Sequence, residues 1–134
     1  MRFTLPIVLI FLLSSCQGIE RNCKDYKTGF FEFTFKANGV EKTAKFIRTE
    51  FLNIDLFEGK IDSASIRWIN DCEFIQKKIN PKNMAEERAV HFKIIATTKD
   101  SYTFEYQDPS PDSNKKKRVE KGIAYRVSEF NINP

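Results

Sequence analysis

Few side chains in this sequence of 134 residues are grouped in a way that could do acid–base or nucleophilic chemistry. His91 is the single histidine, and it falls on the polar face of a strand-like stretch, where a solvated role fits better than a catalytic one. Ser63 and Ser65 alternate along a strand, without the sharp turn that a serine nucleophile needs. Asp71 and Glu73 could form a carboxylate pair, although a turn cap at Asp71 and a solvated Glu73 fit better. We therefore expect a protein that is not an enzyme.

Three cysteines supply the remaining reactive chemistry. Cys23 and Cys72 are 49 residues apart. An even pair in an oxidising compartment predicts a structural disulfide, with two free core thiols or a redox pair as the alternatives. Two cysteines and one histidine make no recognisable metal-ligand spacing, so neither a metal nor a cofactor is expected.

The first fifteen residues have the pattern of a secretory signal peptide. Arg2 precedes a mostly apolar run from Phe3 to Leu13, and small residues follow. As a helix this run would reach roughly 16 Å, whereas a membrane span must cross about 30 Å of hydrocarbon. The segment 1–15 is therefore predicted to direct export and not to span a membrane.

The end of this segment carries a more specific signal. Leu13-Ser14-Ser15-Cys16 resembles the lipobox of bacterial lipoproteins, in which the cysteine thiol receives a diacylglyceryl group and becomes the mature N-terminus. The resemblance implies that Cys16 anchors the chain in a membrane. Gln17 stands where an Asp would favour the inner membrane in Gram-negative sorting, so the outer membrane of the cell envelope is implied. A plain signal peptide followed by an unrelated cysteine is the alternative.

Alternation with a period of two dominates the chain from residue 29 onward. Phe31, Phe33 and Phe35 alternate with polar residues, and Asn38-Gly39 is a strong hairpin signal. The pattern predicts an all-β fold, an antiparallel up-and-down meander of about eight strands that forms a small barrel or a strongly curved sheet. The predicted organisation is a signal peptide at 1–15, a lipidated tether at 16–28, the β-meander domain at 29–128 and a tail at 129–134.

One face of the meander is predicted to be apolar and buried. Its residues are Phe31, Phe33, Phe35, Phe46, Ile54, Ile66, Trp68, Phe92, Ile94 and Phe104. The aromatic members that could either pack the core or line a ligand cup are Phe31, Phe33, Phe35, Trp68 and Phe104.

A basic run in the predicted loop 108–118 is the sharpest charge feature. Lys115, Lys116, Lys117 and Arg118 could contact anionic lipid head groups, or they could form a solvated loop. The run contains no aromatic residue on which a base could stack, and the net charge is only +4. No nucleic-acid partner is expected.

The order of these features resembles the small lipocalin-like lipoproteins of Gram-negative bacteria. Lipocalins begin with Gly-x-Trp and place a late arginine over that aromatic ring; Gly29-Phe30-Phe31 and Arg126 occupy these positions here. The stretch from Ile66 to Phe74 also resembles a segment of uncharacterised small lipoproteins, some of which carry a topoisomerase IV label. The chain has no ATP-binding loop that would support that label.

These features lead to two functional hypotheses. The first is a membrane-anchored, non-enzymatic protein that binds a small apolar ligand. The second is a structural or accessory lipoprotein that docks on a protein partner at the membrane. An apolar cavity inside the meander would favour the first, and an exposed strand edge would favour the second.

Overall fold

The computed structural model describes residues 18–107 and 119–132. The signal segment 1–15, Cys16 and the basic run Lys115–Arg118 therefore lie outside the described residues. The elements in chain order are a 3₁₀ helix (Cys23–Tyr26), β1 (Gly29–Ala37), β2 (Val40–Arg48), β3 (Leu52–Phe57), β4 (Lys60–Asn70), β5 (Glu73–Lys78), β6 (Val90–Thr97), β7 (Ser101–Gln107) and β8 (Val119–Arg126).

The strands form a closed barrel. Each strand pairs antiparallel with its neighbours in sequence, and β1 also pairs with β8, where Phe31 lies opposite Arg126 and Phe33 opposite Ala124. The predicted all-β antiparallel meander is confirmed. Of the two forms that the sequence left open, the chain adopts the barrel and not the open curved sheet.

Two tight turns set the register of the first four strands. Asn38 and Gly39 have φ angles of 53° and 77°, and Glu58 and Gly59 have 48° and 73°. Positive φ at both turn positions matches the right-handed twist of the flanking strands. The Asn38-Gly39 hairpin is confirmed, and its register places the alternating Phe residues of β1 on the interior face.

The two ends of the barrel differ. The floor end carries the turns 49–51 and 98–100 together with the 3₁₀ helix, and the mouth end carries the turns 38–39 and 58–59. Buried side chains pack against one another towards the floor: Cys23, Tyr26, Phe31, Phe46, Ile94, Tyr102, Phe104 and Ala124. This core fills the part of the interior near the floor, and the part towards the mouth holds a cavity.

The 3₁₀ helix closes the floor. Tyr26 is 2% exposed, its ring lies 5.2 Å from that of Tyr102, and its hydroxyl donates to the carbonyl of Thr98 at 2.6 Å. A disulfide joins Cys23 to Cys72 with a Cα–Cα distance of 5.2 Å, so the predicted pair is joined. The sequence predicts a tether at 16–28, but the second half of this segment is packed against the barrel.

A late arginine also covers the floor. The guanidinium carbon of Arg126 lies 4.9 Å from the ring centroid of Tyr26 and 5.5 Å from that of Phe31. Its Nη2 donates to the carbonyl of Asp25. Arg126 thus lies over the ring of Phe31 in the first strand and helps to close the floor.

The inward face of β3 corrects one sequence prediction. Alternation predicts Ile54 in the core, but Ile54 is only partly buried and Asn53 is 3% exposed. Asn53 pairs with Arg48 of β2, so both side chains lie on the interior face, and Asp55 and Phe57 follow at intervals of two. The register of the β2–β3 turn, not the apolar pattern, decides which face of β3 points inward.

The other predicted core residues fall into two groups. Phe31, Phe46, Ile66, Ile94 and Phe104 are buried as predicted. Partly buried are Phe33, Phe35, Phe92 and Trp68.

Two further segments lie near the predicted loop and tail. The last strand begins at Val119, directly after the predicted loop 108–118. In the predicted loose tail, Phe130 packs edge-on against Phe30 with ring centroids 5.4 Å apart.

Candidate ligand-binding cavity

A cavity of about 330 Å³ lies inside the barrel. Its volume is at the lower end of the range typical of small-molecule pockets, about 300–1,000 Å³. Eight of its thirteen lining residues are aromatic: Phe33, Phe35, Phe46, Phe57, Phe92, Tyr102, Phe104 and Tyr106. Such a wall suits an apolar ligand, because burying apolar surface away from water is favourable in proportion to its area.

The aromatic rings hold one another in place. Near the mouth, the ring of Phe35 lies 5.5 Å from Phe33 and 5.4 Å from Phe57. On the opposite wall, Phe92 and Tyr106 are stacked with centroids 5.3 Å apart. These spacings are in the favourable range for aromatic pairs, so much of the wall is formed before any ligand arrives.

One position of the wall requires glycine. A Cβ atom on Gly122 would lie 2.6 Å from Cζ of Phe104, which is closer than real Cβ contacts allow. Gly122 lies directly opposite Phe104 in the β7–β8 pair. The missing side chain lets the Phe104 ring lie across β8 and keeps it in the cavity wall.

A buried cation lies at the floor of the cavity. Arg48 is 4% exposed, its Nη1 donates to the carbonyl of Tyr26 at 3.1 Å, and its Nη2 donates to the hydroxyl of Tyr102 at 2.8 Å. Its guanidinium carbon lies 4.7–5.6 Å from the centroids of four rings, those of Phe31, Phe46, Phe74 and Tyr102. Contact with ring faces offsets part of the several kcal/mol that removing a charge from water costs.

Arg48 is not neutralised by a contacting carboxylate. None of the ion pairs among the described residues includes it. Its Nε is buried and has no hydrogen-bond partner there. The floor therefore carries a positive charge without a contacting carboxylate among the described residues, and the N–H at Nε of Arg48 is free to donate.

A carboxylate lies on the cavity wall. The pKa of Asp55 is raised to about 6, mainly by burial and to a smaller extent by the nearby charge of Asp62. A hydrogen bond from Asn53 Nδ2 at 3.0 Å and the charges of Arg48 and Lys78 act in the opposite direction. Asp55 is therefore mostly ionised at neutral pH and takes up a proton just below it.

The aromatic residues singled out from the sequence separate into two groups. Phe33, Phe35 and Phe104 line the cavity. Phe31 is fully buried in the core at the floor, and Trp68 is partly buried and packs against that core. Neither of these two lines the cavity.

Sequence reasoning missed the polar residues of the cavity, Arg48, Asn53, Asp55 and Gln76. A signal for Arg48 was present, because the Asn38-Gly39 hairpin places Ala44 and Phe46 inward and Arg48 follows in the same phase. No comparable signal existed for Asn53 and Asp55, whose phase depends on a turn without a sequence signature.

The acid–base candidates from the sequence do not converge on the cavity. His91 Nε2 lies 3.5 Å from the carboxylate of Glu73 on the outer face of the barrel. The carboxylate of Asp71 pairs with Lys27 Nζ at 2.8 Å. The cap of this turn is Asn70, whose Oδ1 accepts the backbone N–H two residues later, so the capping role expected for Asp71 is wrong.

Comparisons with models of known protein families, with curated proteins and with solved structures found no match. Within residues 18–107 and 119–132, no three His, Cys, Asp or Glu side chains are grouped so as to hold a metal ion. No helix in these ranges has the length and hydropathy of a membrane span.

Proposed function

We propose that the protein is a lipid-anchored binding protein of the cell envelope that holds a small, largely apolar ligand without converting it. The observation that carries this proposal is the cavity of about 330 Å³ with aromatic residues on most of its wall. Pockets with mostly apolar walls and a few polar groups are the usual form of small-molecule sites.

Closure of the barrel favours ligand binding over docking on a protein through a strand edge. Each of the eight described strands is hydrogen-bonded to a neighbour on both sides. A free edge is what strand addition by a partner needs. The interior is therefore the better-supported binding surface.

The anchor rests on the lipobox resemblance at Leu13-Ser14-Ser15-Cys16. Two or more acyl chains at Cys16 would give stable membrane attachment, whereas one chain gives only marginal binding. Gln17 supports placement in the outer membrane. Attachment there keeps the cavity near a source of apolar molecules.

A neutral fluorescent probe tests the cavity. The full chain is placed in phosphatidylcholine nanodiscs and titrated with N-phenyl-1-naphthylamine, with protein-free nanodiscs as the blank. We expect saturable binding that Ala44→Trp abolishes, because Ala44 is 4% exposed and lines the cavity. Thr43→Trp is the matched control, because Thr43 is the adjacent residue on the outer face.

Two results would contradict the proposal. One is the absence of saturable binding to the wild-type chain. The other is wild-type affinity in a folded Ala44→Trp variant, with folding checked by circular dichroism. If Ala44→Trp does not fold, the smaller Ala44→Leu replaces it and must weaken binding.

A further inference from the structure

Resting on the proposed cavity function, we infer that the ligand is an apolar molecule ending in a carboxylate, and that Arg48 and Tyr102 bind this carboxylate at the floor of the cavity. The apolar body then lies between the aromatic walls towards Phe35 and Phe57.

The charge of Arg48 is the first support. An arginine stays protonated at every physiological pH, and this one is 4% exposed without an ion-pair partner among the described residues. A buried charge is usually paired, because burial without a partner is strongly unfavourable. An anionic group in the cavity would supply the missing partner.

The available hydrogen-bond donors are the second support. A guanidinium has five N–H groups, and protein acceptors among the described residues take one from Nη1 and one from Nη2. Because arginine cannot accept, the Tyr102 oxygen is the acceptor of the 2.8 Å bond, and the hydroxyl hydrogen of Tyr102 is left to donate elsewhere. Burial raises the pKa of Tyr102, so this hydroxyl stays protonated at neutral pH.

The position of these donors is the third support. Both Arg48 and Tyr102 line the cavity, and Tyr102 is 1% exposed. A carboxylate at this depth would be shielded from water, where charge-assisted hydrogen bonds are strong. The aromatic residues nearer the mouth are left for the apolar body.

Asp55 defines the competing chemistry. Its carboxylate lies on the same cavity wall and could attract an amine, with the aromatic rings around it. However, it already accepts a hydrogen bond from Asn53, and the charges of Arg48 and Lys78 reduce its pull on a cation. Arg48 therefore favours a negatively charged ligand, and Asp55 weakens this preference only slightly.

A head-group series tests the inference on the wild-type chain in nanodiscs at pH 7.5. Decanoate and decyltrimethylammonium have the same apolar chain and opposite charges. We expect decanoate to bind about tenfold or more tightly by calorimetry, since a hydrogen bond to a charged group contributes roughly 1.5–3 kcal/mol and 1.4 kcal/mol is tenfold. Tighter binding of the ammonium compound, or equal affinities, would overturn the inference.

Tyr102→Phe tests the residue directly. It removes one hydroxyl and keeps the ring, and we expect it to weaken decanoate binding several-fold and N-phenyl-1-naphthylamine binding less. Tyr125→Phe is the matched control, since Tyr125 is 50% exposed on β8 and does not line the cavity, and it should leave decanoate binding unchanged. Equal loss in both variants, or no loss in a folded Tyr102→Phe variant, would count against the inference.

The two proposals fail in different ways. If the neutral probe binds and Ala44→Trp blocks it while the carboxylate has no advantage, the cavity function stands and the anionic ligand is wrong. If the neutral probe does not bind at all, the cavity function itself is wrong. If Tyr102→Phe does not fold, the wild-type head-group series alone decides.

Discussion

At the scale of single residues, the interior combines an apolar wall with two charges. Arg48 is surrounded by ring faces, and Asp55 is held by one amide. The cation cannot lose its charge, whereas the carboxylate can take up a proton. Burial therefore favours the pairing of Arg48 with an anionic group. At Asp55, burial raises the pKa of the carboxyl group.

Asp55 should make the stability of the protein depend on pH. Its pKa is about 6 when folded, against 3.8 as the ordinary value, so the folded state binds a proton more tightly. Below pH 3.8 Asp55 is protonated in both the folded and the unfolded state, so its burial does not lower the free energy of unfolding. Between about pH 4 and 6 the unfolded chain loses its proton first, so the free energy of unfolding falls as pH rises. Above about pH 6 a constant penalty of up to about 3 kcal/mol remains.

Asp55→Asn should remove this penalty. We expect the free energy of unfolding in urea to rise by up to about 3 kcal/mol at pH 7.5, and the gain to shrink towards pH 4. Asp100→Asn, at an exposed carboxylate, controls for the general effect of removing a negative charge. A gain that is the same at both pH values, or no gain, would contradict the assigned burial of Asp55.

At the scale of elements, the sequence predicts where the strands lie more accurately than it predicts which face of each strand points into the barrel. The strands and the Asn38-Gly39 hairpin follow from alternation and turn chemistry, which are local properties. In β3, Leu52, Ile54 and Leu56 are apolar but point outward, because the pairing of Asn53 with Arg48 reverses the expected phase. Pairing register is a property of two strands, so the sequence of one strand alone does not determine it.

The cavity was harder to predict than the fold for the same reason. A polar residue on an alternating strand normally faces water, so the sequence predicts that Asn53 and Asp55 point outward. The role of Tyr26 was also hidden, because its segment has no period and is fixed by a distant cysteine and by Arg126. These placements depend on tertiary contacts and cannot be derived from local pattern.

The 3₁₀ helix at the floor depends on its covalent link to the barrel. Cys23→Ser combined with Cys72→Ser opens a loop of 49 residues. The chain-entropy model predicts a loss of about 4 kcal/mol from the free energy of unfolding for a loop of this length. Urea denaturation under oxidising conditions measures the loss. Under reducing conditions the wild type should match the double variant, and a difference that persists there would show that the lost stability comes from something other than the disulfide.

At the scale of the whole molecule, the chain enters the barrel at the floor end. The backbone N–H of Thr97, at the floor end of β6, donates to the carbonyl of Glu20 at 2.9 Å. Cys16 lies four residues before Glu20, and four residues span at most about 14 Å. A lipid on Cys16 would therefore hold the floor near the membrane surface, with the mouth on the far side of the barrel. In that orientation, exchange of the proposed ligand would take place on the aqueous side.

The anchor itself is the last prediction. Mass spectrometry of the protein purified from Gram-negative membranes should show a chain that begins at Cys16, has lost residues 1–15 and has gained the mass of acyl chains. The physical reason is that the Cys16 thiol is the nucleophile to which the lipid attaches, so Cys16→Ser should carry no lipid mass. Cys23 and Cys72 provide the internal comparison, because they are joined to each other and have no free thiol. An intact Met1, or an unmodified Cys16 at the N-terminus, would contradict the anchor. Such a result would leave the proposed cavity function standing, because none of the residues that line the cavity belongs to the anchor segment.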